Sequence, residues 1–232
     1  MTLVLFWDID GTLLTTERAG IFAWEDAIEE ILEQSVSLQD YKTAGLTDVE
    51  IAALLVTKVT GQGDEARAAQ LLRSYELLLP SRLHRRKGRA LPGVREVLKL
   101  THGREDILSI LLTGNTAAGA RAKLEHYGLD GYFTGGAFAD GTPDRPAIAH
   151  HAFEIAAAHI EGLEPRQAFV IGDTPHDIHA GDAIGVRTVA VATGGYSAAQ
   201  LEGYDPWWLL EQLPAADEFL GHLRTSALEL PS

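Results

Sequence analysis

Two aspartates one residue apart, Asp8 and Asp10, stand at the end of an unbroken apolar run from Leu3 to Trp7. Such a run has the composition of a strand buried on both faces of a parallel sheet. Two carboxylates at its carboxyl end repel each other and resist desolvation. A bound cation relieves both penalties. Oxygen-only ligands suit magnesium, which takes one or two carboxylates and leaves the rest of its shell to water and phosphate. An isolated D-x-D is equally at home in a plain polar loop, so its meaning depends on the rest of the chain. Two further apolar runs end in the same manner: Ile107 to Leu112 in Thr113, Gly114 and Asn115, and Ala168 to Ile171 in Gly172 and Asp173, with Asp177 in the first turn of the next helix. In open α/β sheets ligands bind beyond the carboxyl ends of the strands, so these residues are expected to converge on one cleft. Four acids around one point call for a cation. The Thr113 hydroxyl can donate to an anionic oxygen, and the Gly114 and Asn115 amides at a helix N-terminus favour the same charge.

The elements that must position these groups follow from periodicity. After the first strand, apolar residues recur at helical spacing over Glu17 to Gln34, Thr47 to Val59 and Asp64 to about Leu83, three helices with no strand between them. Thr47 with Glu50 three residues on is a capping-box pattern. From Leu91 helices and strands alternate: a helix to His102, the strand 107–112, a helix from Thr116 to Tyr127, a short strand at Tyr132 to Thr134, and a helix from Pro146 to His159. The strand 168–171, a helix from Pro175 to Ile184 and a strand from Arg187 to Ala192 complete the alternation, and a helix around Asp217 to Leu223 closes the chain. The change of grammar marks an insertion. The expectation is an α/β fold, a Rossmann-like three-layer parallel-sheet core formed by residues 1–15 and 88–232, with an all-helical cap over 16–87. The basic run Arg82 to Arg89 closes the insertion, either as a solvated helix end or as a steering patch for an anionic substrate.

The ordered set DIDGT (Asp8 to Thr12), LLTGN (Leu111 to Asn115) and IGDTPHDI (Ile171 to Ile178), with LPGV at Leu91 and HYGLDGYF at His126, resembles the haloacid dehalogenase superfamily, and within it the phosphoglycolate-phosphatase-like members with a helical cap after the first strand. The resemblance implies magnesium-dependent hydrolysis of a small phosphomonoester. Asp8 would be the nucleophile that becomes an aspartyl phosphate, and Asp10 the general acid and then base. Asp8 and Asp173 would ligate magnesium together with the Asp10 backbone carbonyl, Asp177 being a further ligand or a neighbour of the ligands. Thr113 would bind a phosphoryl oxygen, helped by amides near Gly114 and Asn115. Arg145 stands where the family commonly has Lys before Pro; its guanidinium can bind phosphate bidentately, so the role is chemically available. Thr12 reads as a structural hydroxyl of the turn. The loop Thr43 to Asp48 would reach toward the substrate, Thr47 and Asp48 being either substrate contacts or ordinary helix caps. Alternatives are a phosphomutase on the same scaffold and a non-catalytic protein that binds a phosphorylated metabolite.

Composition narrows the partners. With 232 residues, 46% of them apolar, the chain can bury a sizeable core. A formal net charge of −14 argues against nucleic acid as a partner; the small phosphorylated metabolite is what the resemblance implies. No cysteine is present, which removes disulfides and thiolate chemistry. No apolar run spans a bilayer and no basic leader precedes the first strand, so the expectation is a cytoplasmic monomer or dimer with no membrane contact.

Overall fold

A computed structural model describes residues 1–140 and 144–228. Strand β1 (Leu3–Trp7) is buried along its whole length, as a central strand covered on both faces must be. Two-residue strands β2 (Leu14–Thr15) and β3 (Arg89–Ala90) pair antiparallel, one leaving the core and the other returning to it. Between them run α1 (Gly20–Leu32), α2 (Asp48–Thr60) and α3 (Glu65–Arg82). The remaining elements are α4 (Val94–Thr101), β4 (Ile107–Leu112), α5 (Ala117–Tyr127), β5 (Gly135–Ala137), α6 (Arg145–His159), β6 (Ala168–Gly172), α7 (Pro175–Ala183), β7 (Arg187–Val191), α8 (Ala198–Glu202), β8 (Trp208–Leu210) and α9 (Ala216–Leu228).

The main sheet has strand order β5-β4-β1-β6-β7-β8, with every pairing parallel. Strand β1 therefore lies between β4 and β6, and the chain fills one flank of the sheet before crossing to the other, which creates a switch point at the ends of these strands. Two apolar clusters cover the two faces. One joins Leu5, Trp7, Phe169 and Val191 to α4 and α9; the other joins Phe6, Val170 and Ile110 to Ile148 and Ala152 of α6. This is the α/β three-layer core expected from the alternation of elements.

The helical insert has its own apolar cluster, from Ala19 and Trp24 through Leu55 to Tyr75 and Leu83. Trp24 and Tyr75 stack with ring centroids 3.8 Å apart and planes 7° apart, joining α1 to α3. The basic run is held to the insert: Arg82 pairs with Asp26 at 2.5 Å, and the Arg85 and Arg86 guanidinium groups lie over the Phe22 ring.

Three local expectations are corrected. Residues Asp130–Tyr132 form a 3-10 turn, and the strand comes later, at Gly135–Ala137, where pairing with β4 overrides the low strand propensity of a Gly-Gly-Ala segment. Beyond the five strands expected, Trp208–Leu210 add a sixth parallel strand, with the Trp208 ring 5.8 Å from that of Phe219. Helix α6 begins at Arg145, one residue before Pro146, so Pro sits in the first turn, where its missing N–H costs nothing. Residues 141–143 and 229–232, assigned to the core, lie outside the described residues. Among those described, no helix is long and apolar enough to cross a membrane.

Candidate active site

The carboxyl ends of β4, β1 and β6 are neighbours in the sheet, so Thr113, Asp8 and Asp173 are carried side by side at the spacing of adjacent strands, about 4.8 Å. The Asp8 N–H donates to the Ile171 carbonyl at 3.0 Å, fastening the first acid to the strand that delivers the second. Asp177 enters from the first turn of α7. Its Oδ2 accepts from the Thr174 N–H at 3.0 Å and the Thr174 hydroxyl at 2.7 Å, an arrangement that caps the helix while pointing the carboxyl group inward. Asp8, Asp173 and Asp177 are all buried, and each offers a carboxylate oxygen within 4.8 Å of the others.

One cation answers these three acids from inside the protein. The Arg145 Nη2 atom donates to Asp8 Oδ1 at 3.3 Å and to Asp177 Oδ1 at a shorter distance, while Arg145 Nε is buried with no partner. Burial works against the Arg145 charge, but Asp177 and Asp8 more than offset it and raise its pKa. For the acids the balance runs the other way. Burial first, then Asp177, raises the Asp8 carboxyl to about 7, against the pull of Arg145 and the Thr113 hydroxyl. Burial and the charges of Asp8 and Asp177 push Asp173 well above the usual carboxylate range. Three carboxylates against one guanidinium leave two formal negative charges. The donors are all oxygen, and the site floor is shaped around Asp173: a Cβ on Gly194 would stand 1.7 Å from Asp173 Oδ2, and one on Gly11 would stand 2.3 Å from the same atom. Donor set, charge and cradle together fit a hard divalent cation. Asp8 and Asp173 would hold it. Asp177 has both oxygens engaged, by Thr174 and by Arg145.

The raised carboxyls have a measurable consequence. An unfolded Asp ionises near 3.8 and Asp8 in the fold near 7, so between these values the native state holds the extra proton. Stability due to this group therefore falls as pH rises from about 4 to about 7 and is level above. Asp8→Asn removes the titration, so in chelator-treated protein the thermal midpoint of the variant minus that of the parent should increase across this window. A flat difference would contradict the burial of a repelled carboxylate.

Asp10 lies outside the cluster of three. Its Oδ2 accepts from Asn115 Nδ2 at 2.9 Å and from Lys123 Nζ at 2.5 Å, and Lys123 also donates to Asn115 Oδ1 at 2.5 Å. Asn115 Nδ2 donates in addition to Thr113 Oγ1 at 2.8 Å, so the second motif is tied to the first through one amide. Burial disfavours the Lys123 ammonium, yet Asp10 and Asp48 hold its pKa above the ordinary lysine value. Lys123 was not legible as a site residue. It sits mid-helix in AAGARAKLEHY, where a lone lysine reads as solvated, and the one available signal is that this helix directly follows the LLTGN motif. Thr12 does more than shape its turn, since its hydroxyl donates to Asp173 Oδ1 at 3.2 Å.

A cavity of about 580 Å³ opens in front of these groups, between the sheet and the helical insert. Asp8, Asp10, Gly114, Asn115, Arg145 and Asp173 line its floor; Ile21, Trp24, Asp48, Ile51 and Tyr75 are among the residues of its roof. Thr47 and Thr113 are buried beside it and do not form its wall. Thr47 caps α2 in a reciprocal box with Glu50, its N–H donating to Glu50 Oε2 at 2.8 Å; such a cap contributes about 1 kcal/mol. Asp48 instead reaches the core, its N–H donating to the Gly114 carbonyl at 2.8 Å and its Oδ2 accepting from the Thr116 N–H at 2.9 Å. Burial raises its pKa to about 6, against the opposing charge of Lys123.

A buried carboxylate cluster, short of positive charge, thus stands at the switch point with a cavity opening in front of it. Residues 5–182 match the family of haloacid dehalogenase-like hydrolases. The chain belongs to that family. It is an enzyme of the hydrolase class, and the curated proteins it resembles are phosphatases: it is 27% identical over 210 residues to the probable phosphatase IndB of Dickeya dadantii (88% of this chain, 86% of the relative). It is 28% identical over 201 residues to the fructose-1-phosphate phosphatase YqaB of Escherichia coli K12 (81% and 95%). In fold it is similar to the crystal structure of a predicted phosphoglycolate phosphatase from Haemophilus somnus 129pt, at TM-score 0.71 and 19% identity over 95% of this chain and 98% of that one.

Proposed function

We propose that the chain hydrolyses a small phosphomonoester with the aid of magnesium, through an aspartyl phosphate on Asp8. The observation that carries this reading is the buried Asp8–Asp173–Asp177 cluster, short of positive charge and facing a cavity between the sheet and the helical insert. In the first step an Asp8 oxygen bonds to phosphorus as the bond to the leaving oxygen breaks, and Asp10 gives that oxygen its proton. In the second, water bonds to phosphorus and yields a proton to Asp10 as the Asp8–phosphorus bond breaks, releasing phosphate. Asp8, Asp173 and the Asp10 carbonyl would hold magnesium, which would supply charge neutralisation for attack on the phosphoryl group. Arg145 orients Asp8 and presents a fixed positive charge to the phosphoryl group, and Thr113 holds Asn115, behind the phosphoryl position. Residues 16–87 act as a cap that closes over the site on the β2–β3 ribbon and excludes water.

The cavity volume suits a metabolite and not a protein substrate. Its charges bear on the leaving group. Among the described residues of the wall, Arg18 is committed to the Leu38 and Tyr41 carbonyls and Lys123 to Asp10 and Asn115, while the roof contributes the Asp48 carboxylate. A carboxylated leaving group finds few cations here beyond the exposed Lys42. A hydroxylated one finds an acceptor in Asp48 and an apolar platform in Trp24 and Tyr75. Fructose-1-phosphate, named for the Escherichia coli relative, is of the hydroxylated class. Phosphate release by the purified protein from sugar phosphates and from phosphoglycolate, with magnesium and with chelator, tests this. Magnesium-dependent release is expected, with sugar phosphates preferred by about tenfold or more, a margin of roughly 1.4 kcal/mol. No magnesium-dependent release from any ester would overturn the assignment, and isomerised sugar phosphate without release would replace hydrolysis by phosphomutase chemistry.

A further inference from the structure

Lys123 is buried, yet the two chemical steps give it no part. Its position is specific. The Asp10 carboxyl group has one oxygen, Oδ2, taken by two N–H donors, Lys123 Nζ at 2.5 Å and Asn115 Nδ2 at 2.9 Å. Among the described residues no group bonds to Oδ1. The Asp10 side chain is 41% exposed and Asp10 forms part of the cavity wall, so Oδ1 is the oxygen left free to meet a ligand.

We propose that Lys123 is a positioning residue for proton transfer: it fixes Asp10 so that the mobile proton is carried on Oδ1. The proposal rests on the reading of Asp10 as the acid and base of the reaction. A proton on Oδ2 would point at two N–H donors and find no acceptor, whereas Oδ1 is engaged by no described group and is free to exchange a proton with a ligand. In the first step the Oδ1–H bond breaks and the proton passes to the leaving oxygen as that oxygen parts from phosphorus. In the second, water gives its proton back to Oδ1 as its oxygen bonds to phosphorus.

The same lysine connects the helical insert to this step. Gly119 and Lys123 are four residues apart on α5 and share a face. A Cβ on Gly119 would stand 3.0 Å from Asp48 Oδ2, so the bare glycine lets the Asp48 carboxylate seat on the Thr116 N–H. The Asp48 charge falls on the Lys123 ammonium alongside that of Asp10. The lysine is thus compensated from both sides only when the insert is docked as it is here, and closure and proton placement share one cation.

Lys123→Met in the full-length protein tests the role when kcat/KM is followed along a series of phosphate monoesters, from 4-nitrophenyl through phenyl to alkyl. A good leaving group departs without a proton, and an alkoxide does not. General acid catalysis contributes about 10²–10⁴-fold where it is needed, so the expected loss is about tenfold or less on 4-nitrophenyl phosphate and about 10² or more on an alkyl ester. Placed on Asp10→Asn, the same change should cost little more, because the group it positions is gone. Losses equal across the series, or absent, would overturn the proposal, since a lysine that merely balances charge has no reason to sense the leaving group. Should Lys123→Met not fold, Asn115→Ala, which removes the second donor to Oδ2, carries the same expected tilt and the same contrary outcome. A parent protein inactive on every ester would sink the phosphatase reading itself, whereas an active parent with flat losses would sink only the role of Lys123.

Discussion

Asp8→Asn is expected to lower phosphate release by about 10⁴-fold or more while leaving the fold intact and, in metal-free protein above neutral pH, more stable. The loss follows because the amide nitrogen is no nucleophile and the remaining oxygen lacks the charge that attack on phosphorus requires. The gain follows because the carboxylate is buried beside Asp177 and Asp10, and these costs exceed the attraction of Arg145, as its raised pKa shows. Removing the charge relieves desolvation and repulsion together, at the expense of the 3.3 Å contact to Arg145. The midpoint of the chelated variant should exceed that of the parent by a few degrees at pH 8, about 1 kcal/mol or more in a chain of this size. Single-turnover release, together with trapping of a hydroxylamine-labile phosphoryl label on the parent alone, checks the chemical half. Calorimetry with chelator checks the other. A variant that keeps turnover removes Asp8 from the nucleophile's role, and one that melts lower shows that Arg145 outweighs the two acids.

Gly194→Ala should cost about 10³-fold in activity through a single methyl group. The new Cβ would stand 1.7 Å from Asp173 Oδ2 and 2.6 Å from its Cγ, far inside contact distance. Asp173 is a short side chain, 2% exposed, and its other oxygen accepts from Thr12 at 3.2 Å. It cannot step aside within its pocket, so the carboxyl group must rotate out of the cluster or the loop after β7 must shift. Either movement separates Asp173 from Asp8, and a misplacement of about 1 Å at a reacting centre is enough for a loss of about 10². Weakened cation binding adds to that, because a displaced donor no longer meets the geometry magnesium demands. Titration of magnesium against activity should therefore show both a lower maximum and a higher half-saturation. Gly195→Ala is the control: among the described residues its Cβ would meet only Ala44 Cβ at 3.6 Å, an ordinary contact, and little loss is expected.

The two glycines show where local reading stops. As a dipeptide after a strand, Gly194–Gly195 carries no sign of which residue matters, because the answer lies in the distance to Asp173, just past the end of the neighbouring strand β6. The breaks at Asp8, Thr113 and Asp173 were legible because each follows the end of an apolar run, and burial of a strand is written in consecutive residues. The helical insert was legible because three amphipathic periods follow one another without a strand. Strand β5 was not, since Gly135–Ala137 has no strand propensity and forms only because β4 offers it a partner. Arg145 could be read as solvated or as a phosphate ligand, and its burial against Asp8 and Asp177 removes the solvated reading.

By itself, then, the sequence determined the class of fold, the insertion and the acids at the strand ends, because these depend on hydrophobic periodicity and on local breaks in it. The tertiary structure alone decided which charges meet. Lys123 reaches Asp10 across 113 positions of the chain and Asp48 reaches Thr116 across 68, while Gly194 lies beneath an aspartate delivered by a different strand. Coulombic attraction and steric contact depend on separation in space, which the sheet order sets and the order of residues along the chain does not.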